Sequence, residues 1–451
     1  MMKMKMHKTI TIFEYKSSKK LKKYIPDLNK INKIYSKNNN KNKYIFNIIG
    51  NEVFGTKYVG FLQIKNQPIQ ILPKIIGYNT NKSNEYSNII KNLLFMLKYT
   101  NKLDIKESDI TNIKKNQNLF EIMIYIFSKK LLELLKFNLY KNYEIKEDNI
   151  KFLKGKLKFK EHIRKNYINK VNFYCEYDEF IEDNLLNQIF KKTIIKLLKI
   201  TKSNSNYKLL NTCNLILNKV SIKKISPSNI QKIKFNRFNE SYKSCFNLAK
   251  LLLFGNSTEL SYGNISTFSF LFDMNQLFEE FIREFIKKEI SYNLNINVNN
   301  SSDNNKKVFN RKVFDKSKKL KNYYLKPDII LTNKNNHKIK LIIDTKYKLL
   351  IKHNKLNVNN PDINVNNTDI YQMFVYGIRL GEYFENTQKK IILLYPEPFD
   401  NNNDINKKDI FGEINRNEEN LLIKIKTVNL KINLIKNKNK LKEELENIIK
   451  N

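Results

Sequence analysis

Two aspartates and a lysine in the C-terminal half of the chain have the types and spacing of a metal-assisted hydrolytic site. Asp328 directly follows Pro327, and Asp344 precedes Lys346 by two positions. Two carboxylates that converge from neighbouring strands can hold a hard divalent cation such as Mg²⁺, which prefers oxygen ligands and keeps several waters. A lysine beside them can orient or deprotonate a water and offset charge at a phosphorus centre. The chemistry that these residues predict is hydrolysis of a phosphodiester bond.

The surrounding sequence predicts an antiparallel hairpin that positions these residues. Two apolar, β-rich runs flank a turn-forming stretch within residues 323–349. Asp328 lies on the first predicted strand. Asp344 and Lys346 are two apart on the second and therefore project from the same face. Because the run 341–344 is too apolar to be exposed on both sides, its carboxylate lies at the edge of a buried strand, which is costly unless a metal or a phosphate compensates it.

The Asp-x-Lys spacing is a weak signal by itself, because 83 of the 451 residues are Lys or Arg. The pairs that share this spacing elsewhere are Asp104 with Lys106 and Glu144 with Lys146. Neither pair has a preceding Pro-Asp strand or a suitable following helix. After the predicted hairpin comes a helix that carries Gln372 and Tyr376 four residues apart, and hence on one face. This context distinguishes the site around Asp344.

With that helix included, the chain resembles a known family. The Pro-Asp, Asp-Thr-Lys and Gln-x-x-x-Tyr motifs resemble the PD-(D/E)xK nuclease core in its RecB-like branch. The flanking sequence resembles McrC, the nuclease subunit of the McrBC modification-dependent restriction system. The flanking motifs include Leu-Pro-Lys-Ile at 72–75, Tyr-Asp-Glu-Phe at 177–180 and Leu-Phe-Glu at 277–279. The resemblance extends from about Val59 to Pro396.

The resemblance implies a set of site residues. The catalytic residues that it implies are Asp328, Asp344, Lys346, Glu279, Gln372 and Tyr376. The ligands of Mg²⁺ that it implies are Asp328, Asp344, Thr345 and Glu279. In this interpretation Glu279 is a third carboxylate that the Leu-Phe-Glu helix delivers to the metal. Two interpretations of Lys74 in Leu-Pro-Lys-Ile are open: a functional contact, or the solvated surface residue that is expected of most lysines.

Periodicity divides the chain into three predicted regions and a multi-domain α/β fold. Residues 1–86 read as short strands and predict a small N-terminal β domain. Residues 87–255 carry amphipathic helical patterns. Residues 256–451 alternate helix and strand as expected for the αβββαβ restriction-endonuclease-like core of a PD-(D/E)xK nuclease domain. The Asn/Lys-rich stretch 291–314 is predicted to be a loop.

Composition indicates an intracellular protein that binds a polyanion. The net charge of +40 implies attraction to nucleic acid first and to membrane surfaces second. Three widely spaced cysteines provide neither a disulfide framework nor a CxxC metal site, which predicts a reducing cytoplasm. No apolar run approaches the roughly 18 residues that cross a bilayer, so no membrane span is expected, and nucleic acid rather than a membrane is the expected partner.

The chain has no GxxxxGK[ST] nucleotide-binding loop, so an energy source must come from a partner. The resemblance implies an McrB-like AAA+ ring that hydrolyses GTP, with double-stranded DNA containing modified cytosine as substrate. It also implies docking of the N-terminal β domain into that ring and possible pairing of two copies through nuclease domains. Two alternatives remain open from the sequence: a stand-alone RecB-like DNA nuclease, and a non-catalytic basic adaptor that binds DNA and a motor.

Overall fold

The computed structural model describes residues 8–38, 44–64, 67–74, 83–111, 113, 117–137, 139–168, 171–255, 267–299, 325–348, 365–397, 413–416 and 420–450. Within these residues the strands are β1 (Ile10–Phe13), β2 (Ser17–Ser18), β3 (Phe46–Ile49), β4 (Glu52–Gly55), β5 (Tyr58–Ile64), β6 (Gln67–Leu72), β7 (Asn142–Ile150), β8 (Lys156–Leu157), β9 (Phe173–Ile181), β10 (Thr267–Asp273), β11 (Ile296–Asn299), β12 (Ile329–Asn333), β13 (Ile339–Thr345), β14 (Lys389–Pro396), β15 (Glu413–Arg416) and β16 (Leu421–Val428). The α-helices are α1 (Ile25–Asn38), α2 (Ser83–Tyr99), α3 (Glu107–Thr111), α4 (Leu119–Phe137), α5 (Phe159–Asn166), α6 (Leu185–Ile200), α7 (Asn204–Ile216), α8 (Pro227–Gln231), α9 (Lys243–Phe254), α10 (Met274–Phe285), α11 (Asn367–Arg379) and α12 (Lys438–Lys450). The fold is mixed α/β with several sheets, as predicted.

The sheet that carries the predicted site residues has the strand order β11-β12-β13-β14-β16-β15. Strands β12 and β13 are antiparallel neighbours, which confirms the predicted hairpin, whereas β14 runs parallel to β13. Side chains alternate across β13. Ile342 belongs to the same core as Met373 of α11, and Ile343 belongs to another core together with Phe278 of α10. Coverage of both faces explains the continuous apolar run that precedes Asp344.

The predicted strand boundaries in this region need correction. The first strand begins at Ile329, so Asp328 lies just before it, where the preceding Pro327 has no N–H to continue the ladder. The second strand ends at Thr345, so Lys346 lies one residue beyond it. Strand β11 falls within 291–314, which was predicted to be a loop. The elements from α10 to β14 nevertheless follow the order helix, strand, strand, strand, helix, strand within the described residues.

A second sheet has the order β1-β6-β5-β10 and crosses the predicted boundary at residue 256. Strands β1 and β6 are parallel, and β10 pairs antiparallel with β5 along its whole length. Strand β10 then leads directly into α10, where Asp273 caps the helix by accepting a hydrogen bond from Asn275 N at 3.0 Å. The N-terminal region therefore shares a sheet with the segment that precedes Glu279.

Residues 1–86 do not form an all-β domain, because α1 packs on a small sheet of order β2-β4-β3. The buried residues Leu28 and Ile31 of α1 share a core with Val53. The Lys/Asn-rich composition around these apolar positions obscured the helical period. This region is α/β within its described residues.

The middle region contains the predicted helices and an unpredicted sheet. Helices α2, α4, α6, α7 and α9 contribute to one large core. The predicted cap at Asn184 is confirmed, since its side chain accepts a hydrogen bond of 3.1 Å from Asn187 N. Strands β7, β9 and β8, with α5, form an arm (residues 142–181) inside the region predicted to be helical. Most side chains of β7 are exposed, so the described residues leave most of this strand uncovered. Among the described helices, none combines the length and hydropathy that a membrane span requires.

Candidate active site

The hairpin brings Asp328 and Asp344 opposite each other. Its antiparallel register pairs Ile329 with Ile343. Continued by one residue, this register places Asp328 opposite Asp344. The Oδ2 atom of Asp328 accepts two hydrogen bonds of 2.8 Å, from the N–H and the hydroxyl of Thr345. Thr345 therefore orients the Asp328 carboxylate from the strand that carries Asp344.

Asp344 is fully buried. Its Oδ1 atom accepts no hydrogen bond from the described residues, and its Oδ2 atom forms an ion pair with Lys346. Burial, followed by the nearby Asp328 carboxylate, raises the pKa of Asp344 to about 7, although Lys346 opposes this shift. Burial also raises the pKa of Asp328, against the two hydrogen bonds from Thr345. Two adjacent buried carboxylates and an unsatisfied oxygen form a site that a cation would stabilise.

Lys346 connects this carboxylate pair to α11. Its Nζ atom donates to Gln372 Oε1 at 3.1 Å, and Gln372 Nε2 lies 2.6 Å from the hydroxyl of Tyr376. Burial alone would lower the pKa of Lys346, but the Asp344 carboxylate outweighs burial and raises it. Lys346 is therefore held as an ammonium group between a carboxylate and an amide oxygen. The structure brings together these predicted residues of the hairpin and the helix.

Glu279 approaches the same site from α10. Burial, followed by the charge of Asp328, raises the pKa of Glu279 to about 7. Its Oε1 atom pairs with Arg283 Nη1 at 3.5 Å, one turn further along the helix. The charges of Asp328 and Asp344 both act on Glu279, so three carboxylates share one electrostatic environment.

The carboxylates fit a hard cation in their chemistry, but they do not form a preassembled shell. Within the described residues, no group of three or more His, Cys, Asp or Glu side chains is close enough together to hold a metal ion. Asp328 and Asp344 face each other, whereas Glu279 pairs with Arg283. All the candidate ligand atoms are carboxylate or hydroxyl oxygens, and one buried oxygen of Asp344 is unsatisfied. Burial, followed by the charge of Asp328, raises the pKa values of Asp344 and Glu279. Such donors suit Mg²⁺, which commonly uses one or two carboxylates and keeps waters.

Sequence reasoning missed Asp369, which is 6% exposed. Its carboxylate accepts hydrogen bonds from Lys348 Nζ at 2.8 and 3.1 Å and from the Tyr395 hydroxyl at 3.2 Å. Its charge also contributes to the raised pKa of Asp344. The spacing of Asp369 three residues before Gln372 puts both on one helix face, which is the signal that could have identified it.

Two other expectations have different outcomes. Lys74, expected on the surface, is only 6% exposed, so that expectation is wrong. Asp104, one of the pairs with the same spacing as the candidate site, has a side chain that is 69% exposed and pairs with Lys130 at 2.9 Å. Asp104 is thus a largely solvated acid in an ion pair.

Comparisons with known proteins agree with the resemblance. The sequence profile of the family described as "McrBC 5-methylcytosine restriction system component" matches residues 55–396. A curated relative, the type IV methyl-directed restriction enzyme EcoKMcrBC of Escherichia coli (strain K12), is 24% identical over 180 residues, which are 39% of this chain and 51% of the relative. The chain therefore spans about half the length of that relative.

Two solved structures from Thermococcus gammatolerans are similar to the chain. One comes from a refined half-complex of a tetradecameric assembly of McrB AAA+ hexamers with bound McrC; the match has a TM-score of 0.71 at 25% identity and covers 98% of this chain and 100% of the other. The second comes from a McrBC complex; the match has a TM-score of 0.52 at 28% identity and covers 63% and 88%, respectively. Because the family profile spans more than half of the chain, the chain belongs to the family of McrBC 5-methylcytosine restriction system components.

Proposed function

We propose that this chain is the Mg²⁺-dependent DNA endonuclease subunit of a GTP-driven, modified-cytosine-specific restriction complex of the McrBC type. The observation that carries the proposal is the buried pair Asp328 and Asp344, with one unsatisfied oxygen and Lys346 beside it. Carboxylates in that environment favour a bound cation, and a fixed ammonium group next to them favours reaction at a phosphate. The helix and strand order from α10 to β14 supports a PD-(D/E)xK core.

In this mechanism Asp328 and Asp344 would hold Mg²⁺, with Glu279 and Thr345 as further ligands. The ion would supply a Lewis acid for the phosphodiester and its attacking water. Lys346 presents its ammonium group to the charge that develops on the phosphate. Gln372 keeps that group in place through the 3.1 Å hydrogen bond.

Electrostatics support DNA as the substrate. The chain carries 83 Lys and Arg residues against 43 Asp and Glu residues, for a net charge of +40. A surface of this sign attracts a phosphate backbone without sequence preference. Recognition of modified cytosine would then belong to the partner subunit rather than to this chain.

The proposed partner is an McrB-like AAA+ GTPase ring that docks on residues 1–255. The similar solved chains come from assemblies of McrB AAA+ hexamers with bound McrC. The arm adds a surface suited to docking, because it exposes apolar side chains such as Tyr143, Ile145, Phe159 and Tyr167. Exposed apolar patches of this kind mark interaction sites. GTP would be bound by the ring and not by this chain.

Cleavage by the purified chain with its cognate ring tests the proposal. We expect cutting of DNA that contains modified cytosine only when Mg²⁺, GTP and the ring are all present. Robust cutting without the ring would indicate a stand-alone nuclease. Stimulation of GTP hydrolysis without any cutting would indicate a non-catalytic adaptor. The full chain is the right reagent, because a fragment that ends at residue 255 lacks β10 of the N-terminal sheet.

A further inference from the structure

A buried contact links the N-terminal sheet to the residue after Lys346. The parallel strands β1 and β6 end at the same edge of their sheet, where Glu14 and Lys74 follow them. The Oε2 atom of Glu14 accepts a hydrogen bond from the backbone N–H of Lys74 at 3.1 Å and another from the Tyr347 hydroxyl at 3.0 Å. Glu14 is fully buried and Tyr347 is 4% exposed. Residues more than three hundred positions apart in the sequence thus meet in the interior.

The ammonium group of Lys74 completes this cluster. It lies 4.9 Å from the centre of the Tyr347 ring and 4.3 Å from the centre of the Tyr15 ring, within the range of a cation–π interaction. It also donates to the Tyr347 carbonyl at 3.5 Å. Tyr347 is therefore held through its hydroxyl, its ring face and its backbone.

Burial of the Glu14 carboxylate costs free energy that a purely apolar contact between the two regions would not. The Oε1 atom of Glu14 has no hydrogen-bond partner among the described residues. A buried carboxylate with an unsatisfied oxygen is less stable than an apolar side chain of similar volume. The cluster fixes the position and direction of Tyr347, which apolar packing would specify less well.

Tyr347 lies just beyond the end of β13, where the hydrogen bonds of the sheet stop. Strand β13 ends at Thr345, and the hydrogen bond from Lys346 N to Leu394 O at 2.9 Å continues its ladder by one residue. The next fixed point is Tyr347. Its ring also lies 5.8 Å from that of Phe278, the neighbour of Glu279. Tyr347 thus connects the cluster to the backbone of Lys346 and to α10.

We infer that Glu14, Lys74 and Tyr347 are positioning residues that fix the Lys346 backbone and couple the N-terminal sheet to the active site. The inference rests on the proposed function and adds how docking of a partner on the N-terminal half would reach the nuclease site. A shift of the edge formed by β1 and β6 would move Glu14 and Lys74 together, and the Tyr347 hydroxyl would follow.

Tyr347→Phe tests the coupling, because it removes only the hydroxyl and keeps the ring. The matched control is Tyr99→Phe, since Tyr99 is 5% exposed and donates at 2.7 Å to Glu289, a carboxylate that is not among the proposed site residues. In the full chain with its ring, Tyr347→Phe should lower the rate of DNA cleavage at saturating DNA and Mg²⁺ about tenfold. The DNA concentration for half-maximal rate, the stimulated GTP turnover and the melting temperature should match those of Tyr99→Phe. Equal cleavage by the two variants would overturn the inference, and so would a parallel loss of GTP stimulation.

Substitutions of Glu14 test the same coupling independently of Tyr347→Phe. Glu14→Gln keeps an oxygen for the Tyr347 hydroxyl and should retain more cleavage than Glu14→Met at equal folded concentration. In the Glu14→Met background, Tyr347→Phe should cost less than about twofold more, because both changes break the same contact. Additive losses would contradict the coupling. Absence of DNA cutting by the wild-type chain with Mg²⁺, GTP and the ring would instead refute the proposed function, so the two failures are distinguishable.

Discussion

Asp344 with Lys346 and Asp104 with Lys106 share one spacing and lie in opposite surroundings. The side chain of Asp344 is 0% exposed, against 69% for Asp104. Lys346 forms an ion pair with Asp344, two residues before it, whereas Asp104, between α2 and α3, pairs with Lys130 of α4 at 2.9 Å. The same three-residue pattern therefore forms a buried ion pair in one region, whereas in the other region Asp104 and Lys106 pair with Lys130 and Glu133 instead of with each other.

The two aspartates also respond differently to protons. Burial and the charge of Asp328 raise the pKa of Asp344 to about 7. A hydrogen bond with Ser244 and the interactions with Lys130 outweigh burial and lower the pKa of Asp104. A second carboxylate and burial under a covered sheet, rather than the Asp-x-Lys spacing, therefore favour a bound cation.

The largest expected difference is between variants in which Asp344 or Asp104 is replaced by asparagine. Asp344→Asn should abolish DNA cleavage by the complex, because it removes a carboxylate from a hard-cation site without changing its volume. Asp104→Asn should leave cleavage at the wild-type level. Gel assays of DNA cutting in Mg²⁺ measure both, with GTP turnover as the check that each chain still docks. Full cutting by Asp344→Asn would remove the basis of the comparison.

Replacement of Lys346 should slow DNA cleavage, whereas replacement of Lys106 should not. Lys346→Met should slow cleavage by about 10²-fold, because the ammonium group next to the phosphate is lost. DNA affinity should change little, since one charge of many is removed. Lys106→Met is the control and should cleave normally. Rates within a few-fold of each other for the two variants would make Lys346 a bystander.

The pH dependence of cation binding sharpens the contrast between the buried and solvated acids. Asp344 and Glu279 each have a pKa of about 7, so both are increasingly protonated as pH falls below 7, and a cation must displace those protons. The Mg²⁺ concentration for half-saturation should rise by up to about tenfold per carboxyl group for each pH unit below 7 and level off above it. Calorimetric Mg²⁺ titrations of the chain between pH 6 and 8 measure this. Asp104→Asn should leave the profile unchanged, and a flat wild-type profile would contradict the shared carboxylate site.

The smallest effect should come from the hydroxyl that orients Asp328. Thr345→Val removes one of its two hydrogen bonds, worth about 1 kcal/mol, and should slow cleavage about fivefold. Thr201→Val is the matched control, because it removes a hydroxyl that donates to Glu121 at 2.7 Å away from the site. Single-turnover rates of DNA cleavage by the Thr345→Val and Thr201→Val variants measure the difference. An equal effect of both variants would assign the loss to general stability.

The sequence determined the parts of the site whose spacing is local. Asp344 and Lys346 lie two apart at the end of a strand, and Gln372 and Tyr376 lie four apart on a helix, so strand and helix periods predicted their faces. The hairpin turn likewise predicted that Asp328 comes from the neighbouring strand. The structure brings these five residues together as the spacing predicts.

Tertiary structure alone decided which residues support that site. Strand β10 joins the sheet of β5 across about two hundred residues, and Glu14 bonds to Tyr347 across 333. The arm was predicted to be part of a helical region because most side chains of β7 are exposed, polar and apolar ones alike, which leaves little periodic signal.

The physical reason is the range over which each kind of interaction acts. Backbone periodicity depends on neighbours within a few residues, so a single sequence records it directly. Burial, carboxylate repulsion and the raised pKa of Asp344 depend on which distant segments cover the sheet. For this protein, the sequence by itself determined the local residues of the candidate site, and the tertiary fold decided that Asp344 is buried while Asp104, with the same spacing, is solvated.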